Sequence, residues 1–219
     1  MVLSDRQIER YSRQIIVPRL GGAAQERVLA ARMILAGDVD GVELPLAYLV
    51  GAGVGTIVLQ TTDGDVAKRD ALIARSRESN PEVVVSAAAG AESAALVLAI
   101  IASEGARDAA EQLSSERPHA AFVAARLDNP AKIAILPAPP PPCLRCADGG
   151  AMLAPVAVRD AIAEFVAMVA TAEAFKLLAG YASAPSPVII DFDGYQSRSQ
   201  AAKASPGCAC STRERVDAR

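Results

Sequence analysis

The sequence predicts an α/β fold in which a doubly wound, mostly parallel sheet is flanked by helices. Short apolar segments that are typical of buried strands alternate along the chain with longer segments that carry helix signals. Strands that are separated by helices favour a parallel sheet with helices on both faces. With 219 residues, 52% of them hydrophobic, the chain is long enough to fill the core of one such domain.

The first 31 residues are predicted to form a helical arm. Ser4 and Gln7 have the spacing of a capping box, in which each side chain satisfies a backbone N–H of the first turn. The two predicted helices of the arm extend from this box to about Ile16, before Pro18, and from Ala23 to Ala31.

Residues 32–136 are predicted to form the sheet. Its predicted strands are 33–37, 56–59, 83–85, 96–101, 120–125 and 132–136. The predicted helices between them are 42–52, 66–79 and 106–116. The prolines from Pro137 to Pro142 predict a stiff, extended connector. After it, a helix from Leu153 to Leu178 and a strand at 188–190 complete the domain, which is expected to end at residue 210 and to be followed by a disordered tail, 211–219.

All four cysteines fall in two short motifs, Cys143-Leu-Arg-Cys146 and Cys208-Ala-Cys210. Two such pairs can supply the four thiolates that structural zinc prefers. The second pair has one spacer residue where two are usual, so a disulfide, a redox pair and free thiols remain alternatives. Four protein ligands would leave no open position on the metal, which predicts a structural zinc site that ties residues 137–210 together.

Composition excludes several functions. A net charge of −3 gives no basic field for nucleic acid. The first residues lack the apolar core of a signal peptide, and charged residues interrupt the longest apolar stretch, 152–181, so no membrane association is predicted. We therefore expect a cytoplasmic protein, in which reduced thiols favour a metal over a disulfide.

Several motifs resemble the ThiF/MoeB/HesA family in their residues and order. They are Arg10-Tyr11-Ser12-Arg13-Gln14, Ala52-Gly53-Val54-Gly55, Asn80-Pro81, Pro142-Cys143-Leu-Arg-Cys146, Ala172 to Gly180, and Pro206-Gly207-Cys208. The resemblance covers about residues 3–210 and implies a Rossmann-like domain, dimers and a zinc site made of two cysteine pairs. It also implies that ATP and the C-terminal glycine of a ubiquitin-like sulfur carrier react to give an acyl-adenylate.

The glycine-rich loop of the family is altered in this chain. Family members carry a GxGGLG loop after the first strand, where backbone N–H groups approach the phosphates. This chain has Gly37-Asp38-Val39-Asp40-Gly41-Val42 instead. Side chains replace glycines, and Asp38 and Asp40 place negative charge where the triphosphate would lie. ATP and magnesium binding are therefore not expected.

Other family positions are also changed. Thr61 stands where the family has a ribose-binding aspartate, and Ala102 stands where it has the aspartate that organises magnesium. If nucleotide binding nevertheless remains, the resemblance implies Gly37, Asp63 and Lys68 as its residues, although a solvated helix lysine is the simpler interpretation of Lys68.

No catalytic residue is predicted. The loop after the first cysteine pair has no thiol for covalent catalysis, and the single histidine, His119, has no predicted nucleophile beside it. Asp191 and Asp193 lie two residues apart on the last predicted strand and therefore share a face, where they could hold a cation or a basic partner. Solvated residues at the entry to a turn are the simpler interpretation.

The arginines of the arm are retained. In the family, the helix with this motif crosses to the other subunit, and its second arginine reaches the ATP bound there. Arg10 and Arg13 are three residues apart and share a helix face. The resemblance implies that they bind a partner, although ordinary surface charges remain an alternative.

The sequence thus predicts a pseudoenzyme or scaffold subunit that binds a ubiquitin-like sulfur carrier or an active paralogue. The alternative is an ATP-dependent adenylyltransferase that activates the carrier's C-terminal glycine. A second alternative is a homodimer with a structural or peptide-binding role.

Overall fold

The structure is a computed structural model that describes residues 3–18, 20–87, 93–117, 119–127, 131–136, 142–148, 161–181, 187–193, 196–208 and 210. Three predicted features lie wholly or partly outside these residues. They are most of the proline connector, the first part of the long helix at 153–160, and the tail at 211–219.

Eight strands and seven helices lie within the described residues. The strands are β1 (Arg32–Gly37), β2 (Thr56–Thr61), β3 (Val84–Ser86), β4 (Leu96–Ile101), β5 (Ala121–Arg126), β6 (Ala131–Leu136), β7 (Val188–Asp193) and β8 (Gln196–Ala201). The helices are α1 (Asp5–Ile15), α2 (Gly21–Ala30), α3 (Val39–Ala52), α4 (Val66–Ser79), α5 (Glu104–Glu116), α6 (Leu144–Asp148) and α7 (Ala161–Ala179).

All eight strands belong to one sheet, in the order β3-β2-β1-β4-β5-β6-β7-β8. The first five are parallel, whereas β6, β7 and β8 are each antiparallel to the preceding strand. Only residues 127–130 connect β5 to β6, and a parallel crossover needs about a dozen residues or more, so the chain must reverse there. The predicted doubly wound sheet is confirmed, with an antiparallel extension at one end.

The sheet is covered on both faces. Alternate residues of β1 point to opposite sides, so that Leu35 joins a core with α3 and α7, whereas Ile34 joins a second core with α5 and α6. β4 is buried along its whole length, as expected for the centre of a parallel sheet. None of the described helices combines the length and apolar character that crossing a membrane requires.

Two elements were not predicted from the sequence. β8 is polar and exposed, so its composition gave no strand signal. α6 is only five residues long and carries the first cysteine pair. The helix predicted to begin at Val42 begins three residues earlier, because Asp38 is its N-cap.

Candidate functional site

The topology creates a crevice at the carboxyl edge of the sheet. From β1 the chain crosses to β2 on one side, and β4 lies on the other, so the strand order reverses between β1 and β4. Open α/β sheets bind ligands at such switch points. α3 begins in this crevice, directly after β1, and its first N–H groups point into it.

Gly37 ends β1 and has a structural reason to be glycine. Its φ is +150°, and a Cβ atom at this position would lie 2.4 Å from the carbonyl oxygen of Ile100 and 3.1 Å from a methyl group of Val42. The residue therefore permits the close packing of β1 against β4. This requirement holds whether or not a nucleotide binds.

Carboxylates of the chain itself surround the start of α3. The Val39 N–H donates to Oδ2 of Asp63 at 2.8 Å, so Asp63 occupies an N–H group that a phosphate would otherwise meet. Asp38 accepts a hydrogen bond from the Thr62 hydroxyl at 2.6 Å. The turn after β2 thus folds over the first turn of α3 and supplies its anionic partner.

Lys68 is also engaged within the chain. Its ammonium forms an ion pair with Asp40, which lies in the first turn of α3. Of the three residues that the resemblance implied for a nucleotide, Gly37 serves packing, Asp63 binds a backbone N–H and Lys68 neutralises Asp40. The structure therefore brings these three together at one end of α3, but in contact with the chain itself.

A groove of about 400 Å³ lies between α3 and α7 beside this turn. Its charged lining consists of the carboxylate residues Asp40, Glu43 and Glu164. Glu43 is paired with Arg75 at 2.8 Å. The described lining residues include no Lys or Arg, which disfavours a polyanion such as a nucleotide, while two of the three carboxylates are already neutralised, Asp40 by Lys68 and Glu43 by Arg75.

The four cysteines come together as the sequence predicted. Their sulfur atoms all lie within 4.8 Å of one another. Neighbouring sulfurs are separated by 3.7 Å (Cys143–Cys146), 3.7 Å (Cys143–Cys208) and 3.4 Å (Cys146–Cys210). A tetrahedral zinc ion with bonds of about 2.3 Å would place its sulfurs about 3.8 Å apart, whereas a disulfide needs about 2.05 Å. The residues fit a metal ion.

Burial and hydrogen bonding shift the pKa values of the thiols in different directions. Burial raises the pKa of Cys143, and it raises that of Cys210 to about 12. Burial is the largest single effect on Cys146 and acts to raise its pKa, but hydrogen bonds from the Ser205 N–H, 3.2 Å from its sulfur, the Ser205 side chain, Cys210 and Cys208 together outweigh burial and lower the pKa to about 7. One thiolate is therefore available near neutral pH, which assists the capture of a metal ion.

The arm is anchored by Tyr11, at the end of α3 opposite to the crevice. Tyr11 is buried, its ring lies against Gly53 at the C-cap of α3, and its hydroxyl accepts a hydrogen bond from Asn80 at 2.9 Å. A Cβ atom on Gly53, whose φ is +85°, would lie 2.6 Å from that ring. Because a helix of 14 residues spans about 21 Å, the arm lies far from the first turn of α3 in the same chain.

The two arginines of the arm differ in their surroundings. Both side chains are exposed, but Arg10 donates a hydrogen bond to the Ser79 carbonyl at 3.4 Å, whereas Arg13 has no hydrogen bond to the described residues. Ile16, three residues further along the chain, is 77% exposed. Within the described part of the chain, the Gln14 side-chain oxygen is buried without a hydrogen-bond partner. This end of α1 combines a charge, an apolar side chain and an unsatisfied acceptor.

The remaining candidates do not form a reactive site. His119 is exposed in the turn before β5. Asp191 binds Lys132 at 3.6 Å and accepts a hydrogen bond from Gln200 at 3.0 Å, so it belongs to a surface network, while the side chain of Asp193 lies outside the described residues. Ala102 follows β4 without a carboxylate at that position.

Comparison with known proteins gives partial sequence matches. No family model matches the chain. The adenylyltransferase and sulfurtransferase uba4 of Aspergillus terreus is 46% identical over 65 residues, which are 29% of this chain and 13% of that protein. The adenylyltransferase and sulfurtransferase MOCS3 of Bos taurus is 45% identical over 62 residues, 28% of this chain and 13% of the relative. The matched segments thus span about an eighth of these relatives' length.

The fold is similar to solved structures over most of the chain. Escherichia coli MccB, solved with ATP, superposes with a TM-score of 0.68 at 16% identity, over 95% of this chain and 76% of that one. PaaA superposes with a TM-score of 0.65 at 16% identity, over 92% of this chain and 85% of that one. At this identity the likeness concerns the fold.

Fold and site define a Rossmann-like α/β protein with a cysteine cluster that could hold a metal ion. Together with the partial sequence matches, they support membership of the ThiF/MoeB/HesA family.

Proposed function

We propose that this protein is a pseudoenzyme or scaffold subunit of the ThiF/MoeB/HesA type that binds a partner protein and does not use ATP. Its partner would be an active paralogue or a ubiquitin-like sulfur carrier. The observation that carries the proposal is the Asp63 carboxylate on the Val39 N–H, which places an anion of the chain itself at the helix N-terminus that a phosphate would need.

The charge balance supports this proposal. A phosphate beside Asp38 or Asp63 would face a like charge, which costs about 1 kcal/mol at 4 Å in water and about 4 kcal/mol near a protein surface. Lys68, the cation of this region, is already paired with Asp40. ATP would have to displace Asp63, lose the help of Lys68 and bind without a carboxylate at Ala102 to organise magnesium.

A calorimetric titration with magnesium ATP tests the first half of the proposal. The wild-type protein should show no binding at micromolar concentrations. The matched variant Asp40→Asn/Asp63→Asn retains the hydrogen-bonding shape of both side chains while it removes two negative charges. Weak binding by the variant alone would support charge exclusion, whereas micromolar binding by the wild type would overturn the proposal.

The second candidate is an ATP-dependent adenylyltransferase that activates the C-terminal glycine of a ubiquitin-like sulfur carrier. The comparisons favour this candidate over the first, because the curated relatives are named adenylyltransferases and MccB was solved with ATP. It requires the turn at Asp63 to move off α3 when nucleotide arrives. Exchange of radioactive pyrophosphate into ATP, measured with a carrier that ends in Gly-Gly, would detect the acyl-adenylate and would establish this candidate.

The end of α1 is the proposed contact with a paralogue. Arg13 is exposed, Ile16 is 77% exposed, and the Gln14 oxygen lacks a donor among the described residues, which is the chemistry of an interface without its partner. Arg13 would act in the partner's site, because the arm lies at the far end of α3 in its own chain.

Arg13→Ala tests this contact in a verified heterodimer with an active paralogue. The substitution should slow the paralogue's adenylation while the complex still forms, and Arg10→Ala, whose side chain is tied to the Ser79 carbonyl, serves as the matched control. An unchanged rate would refute a role for Arg13. Sedimentation that shows a stable homodimer without any affinity for paralogue or carrier would favour a homodimeric structural or peptide-binding role.

We further propose that the metal is zinc, that it has a structural role and that the protein works in the cytoplasm. The sulfur separations suit zinc, and four thiolates leave no coordination position open for substrate. A reducing compartment would keep the four thiols available for the metal. Elemental analysis of the purified protein would identify the ion.

A further inference from the structure

The outer edge of the sheet at β8 forms a second polar surface, separate from α1 and α3. β8 is the last strand of the sheet, and all six of its residues, Gln196–Ala201, are exposed. In an antiparallel edge strand, alternate backbone N–H and C=O groups point away from the sheet and lack a strand partner. The opposite edge, β3, is only three residues long. Of the two edge strands, β8 therefore offers the longer stretch of backbone for pairing with an added strand.

A row of charges crosses the last three strands toward this edge. Lys132 of β6 lies opposite Asp191 of β7, and Asp191 lies opposite Arg198 of β8. Directly opposite residues share a face of the sheet, and opposite charges in such positions stabilise the pairing. The charges in this row alternate as positive, negative and positive, and the row ends on Arg198.

Asp191 is already satisfied from within the sheet. One of its oxygens lies 3.6 Å from the Lys132 ammonium, and the other accepts a hydrogen bond from the Gln200 amide at 3.0 Å. Among the residues that the structure describes, Arg198 has no ion pair of its own. The next position in the alternation, one strand beyond β8, would be negative.

The same arginine disfavours a second copy of β8 as the occupant. In an antiparallel pair of two β8 strands related by a twofold axis, directly opposite residues share a face of the sheet. The longest registers that satisfy this condition pair the segment 196–200 with its own copy or the segment 197–201 with its own copy. These registers place the two Arg198 side chains directly opposite or diagonal to each other. Like charges in these positions are destabilising, which protects the edge from self-association and leaves it open to an acidic strand.

We propose that β8 is a strand-addition site for an extended, acidic segment of a partner protein. The added segment would form main-chain hydrogen bonds with the outward-facing groups of β8, and a carboxylate on it would lie opposite Arg198 and continue the charge row. This surface is at the other end of the sheet from the arm and does not depend on the function proposed above. Its test is therefore independent of ATP binding.

The probe is the peptide acetyl-Thr-Val-Thr-Glu-Thr-Val-Thr-amide, titrated into the full-length, isotope-labelled protein and followed by NMR. We expect shifts and slowed hydrogen exchange at alternate amides of β8. Two further peptides, N-methylated at the odd or at the even amides, provide matched controls. Since only one set of peptide amides faces β8 in an added strand, one methylated peptide should lose binding and the other should retain it.

Charge reversal tests the role of Arg198. Arg198→Glu should weaken binding of the Glu peptide by roughly fivefold to tenfold, as expected when an attractive cross-strand pair becomes repulsive. A peptide with Lys in place of Glu should prefer the variant. Equal loss of binding with both methylated peptides, no response of the β8 amides, or protection that disappears on dilution of a homodimer would each overturn the proposal.

Discussion

Removing the Asp63 carboxylate should measure how strongly the chain holds the first turn of α3. In the Asp63→Ala variant, the Val39 N–H loses its acceptor at 2.8 Å and the helix N-terminus loses a negative charge. Loss of a capping acceptor costs about 0.5–2 kcal/mol, and an exposed charge at a helix end contributes about 0.3–1 kcal/mol at low salt. Because Asp63 is exposed, we expect a total near 1 kcal/mol.

Urea unfolding at neutral pH, followed by circular dichroism, would measure this change. A loss of about 1 kcal/mol corresponds to a decrease of roughly 2–4 °C in the melting temperature of a chain of this size. Asp63→Asn keeps an acceptor oxygen and removes only the charge, so its loss should be smaller and should vanish in high salt. Asp65→Ala provides a reference, since Asp65 is the N-cap of α4 and accepts a hydrogen bond from the Lys68 N–H at 3.0 Å.

The result that would refute the reasoning is equal stability of Asp63→Ala and the wild type, while Asp65→Ala is destabilised. The Val39 N–H would then be satisfied without Asp63, and the crevice would be open to an anion. The central argument against ATP binding would be lost in that case.

Three further predictions concern the anchoring of the arm and the cysteine cluster. Asn80→Ala should destabilise the protein by about 3 kcal/mol in urea unfolding. Asn80 is fully buried and donates hydrogen bonds to the Tyr11 hydroxyl at 2.9 Å and to the Val50 carbonyl at 2.8 Å. A loss below about 1 kcal/mol would contradict these contacts. Burial raises the pKa of Tyr11 above its usual value of 10.0, so the folded state holds the proton more tightly and stability should fall as pH rises from about 10 through the raised pKa. Tyr11→Phe should reduce this alkaline loss, and an unchanged slope would contradict the raised pKa. Chelation of the metal should lower the melting temperature, and Cys210→Ser should lower the metal content in elemental analysis. Ser205→Ala should leave the metal content unchanged, because it preserves the N–H bound to the Cys146 sulfur. Equal metal content in the wild type, Cys210→Ser and Ser205→Ala would exclude the cluster as the binding site.

The capping box shows how local signals predicted the structure. Ser4 and Gln7 form both reciprocal hydrogen bonds, at 3.3 Å and 3.0 Å, as their spacing predicted. The apolar runs of β1 and β4 became the buried centre of the sheet for a similar reason, because composition over six residues is enough to specify a strand that is covered on both faces. The cysteine spacing likewise predicted the cluster, although not its distances.

β8 shows where such signals failed. Its residues are polar and exposed, and it pairs with β7 through backbone hydrogen bonds. Because these bonds do not depend on the type of side chain, the sequence pattern did not predict the strand. The charge row that ends on Arg198 joins residues from three strands. The pairing register of β6, β7 and β8, which places these residues opposite one another, could not be predicted from the sequence.

By itself, the sequence determined the α/β class, the four-cysteine cluster, the capped arm and the loss of the glycine-rich loop, with Asp38 and Asp40 in its place, at the start of α3. Each of these depends on residues that are close in the chain or are identified by type alone. Only the tertiary structure decided that Asp63 binds the Val39 N–H, that Lys68 pairs with Asp40, and that the arm packs against the end of α3 opposite to the crevice. These contacts join separate elements, and their partners depend on how the strands and helices pack.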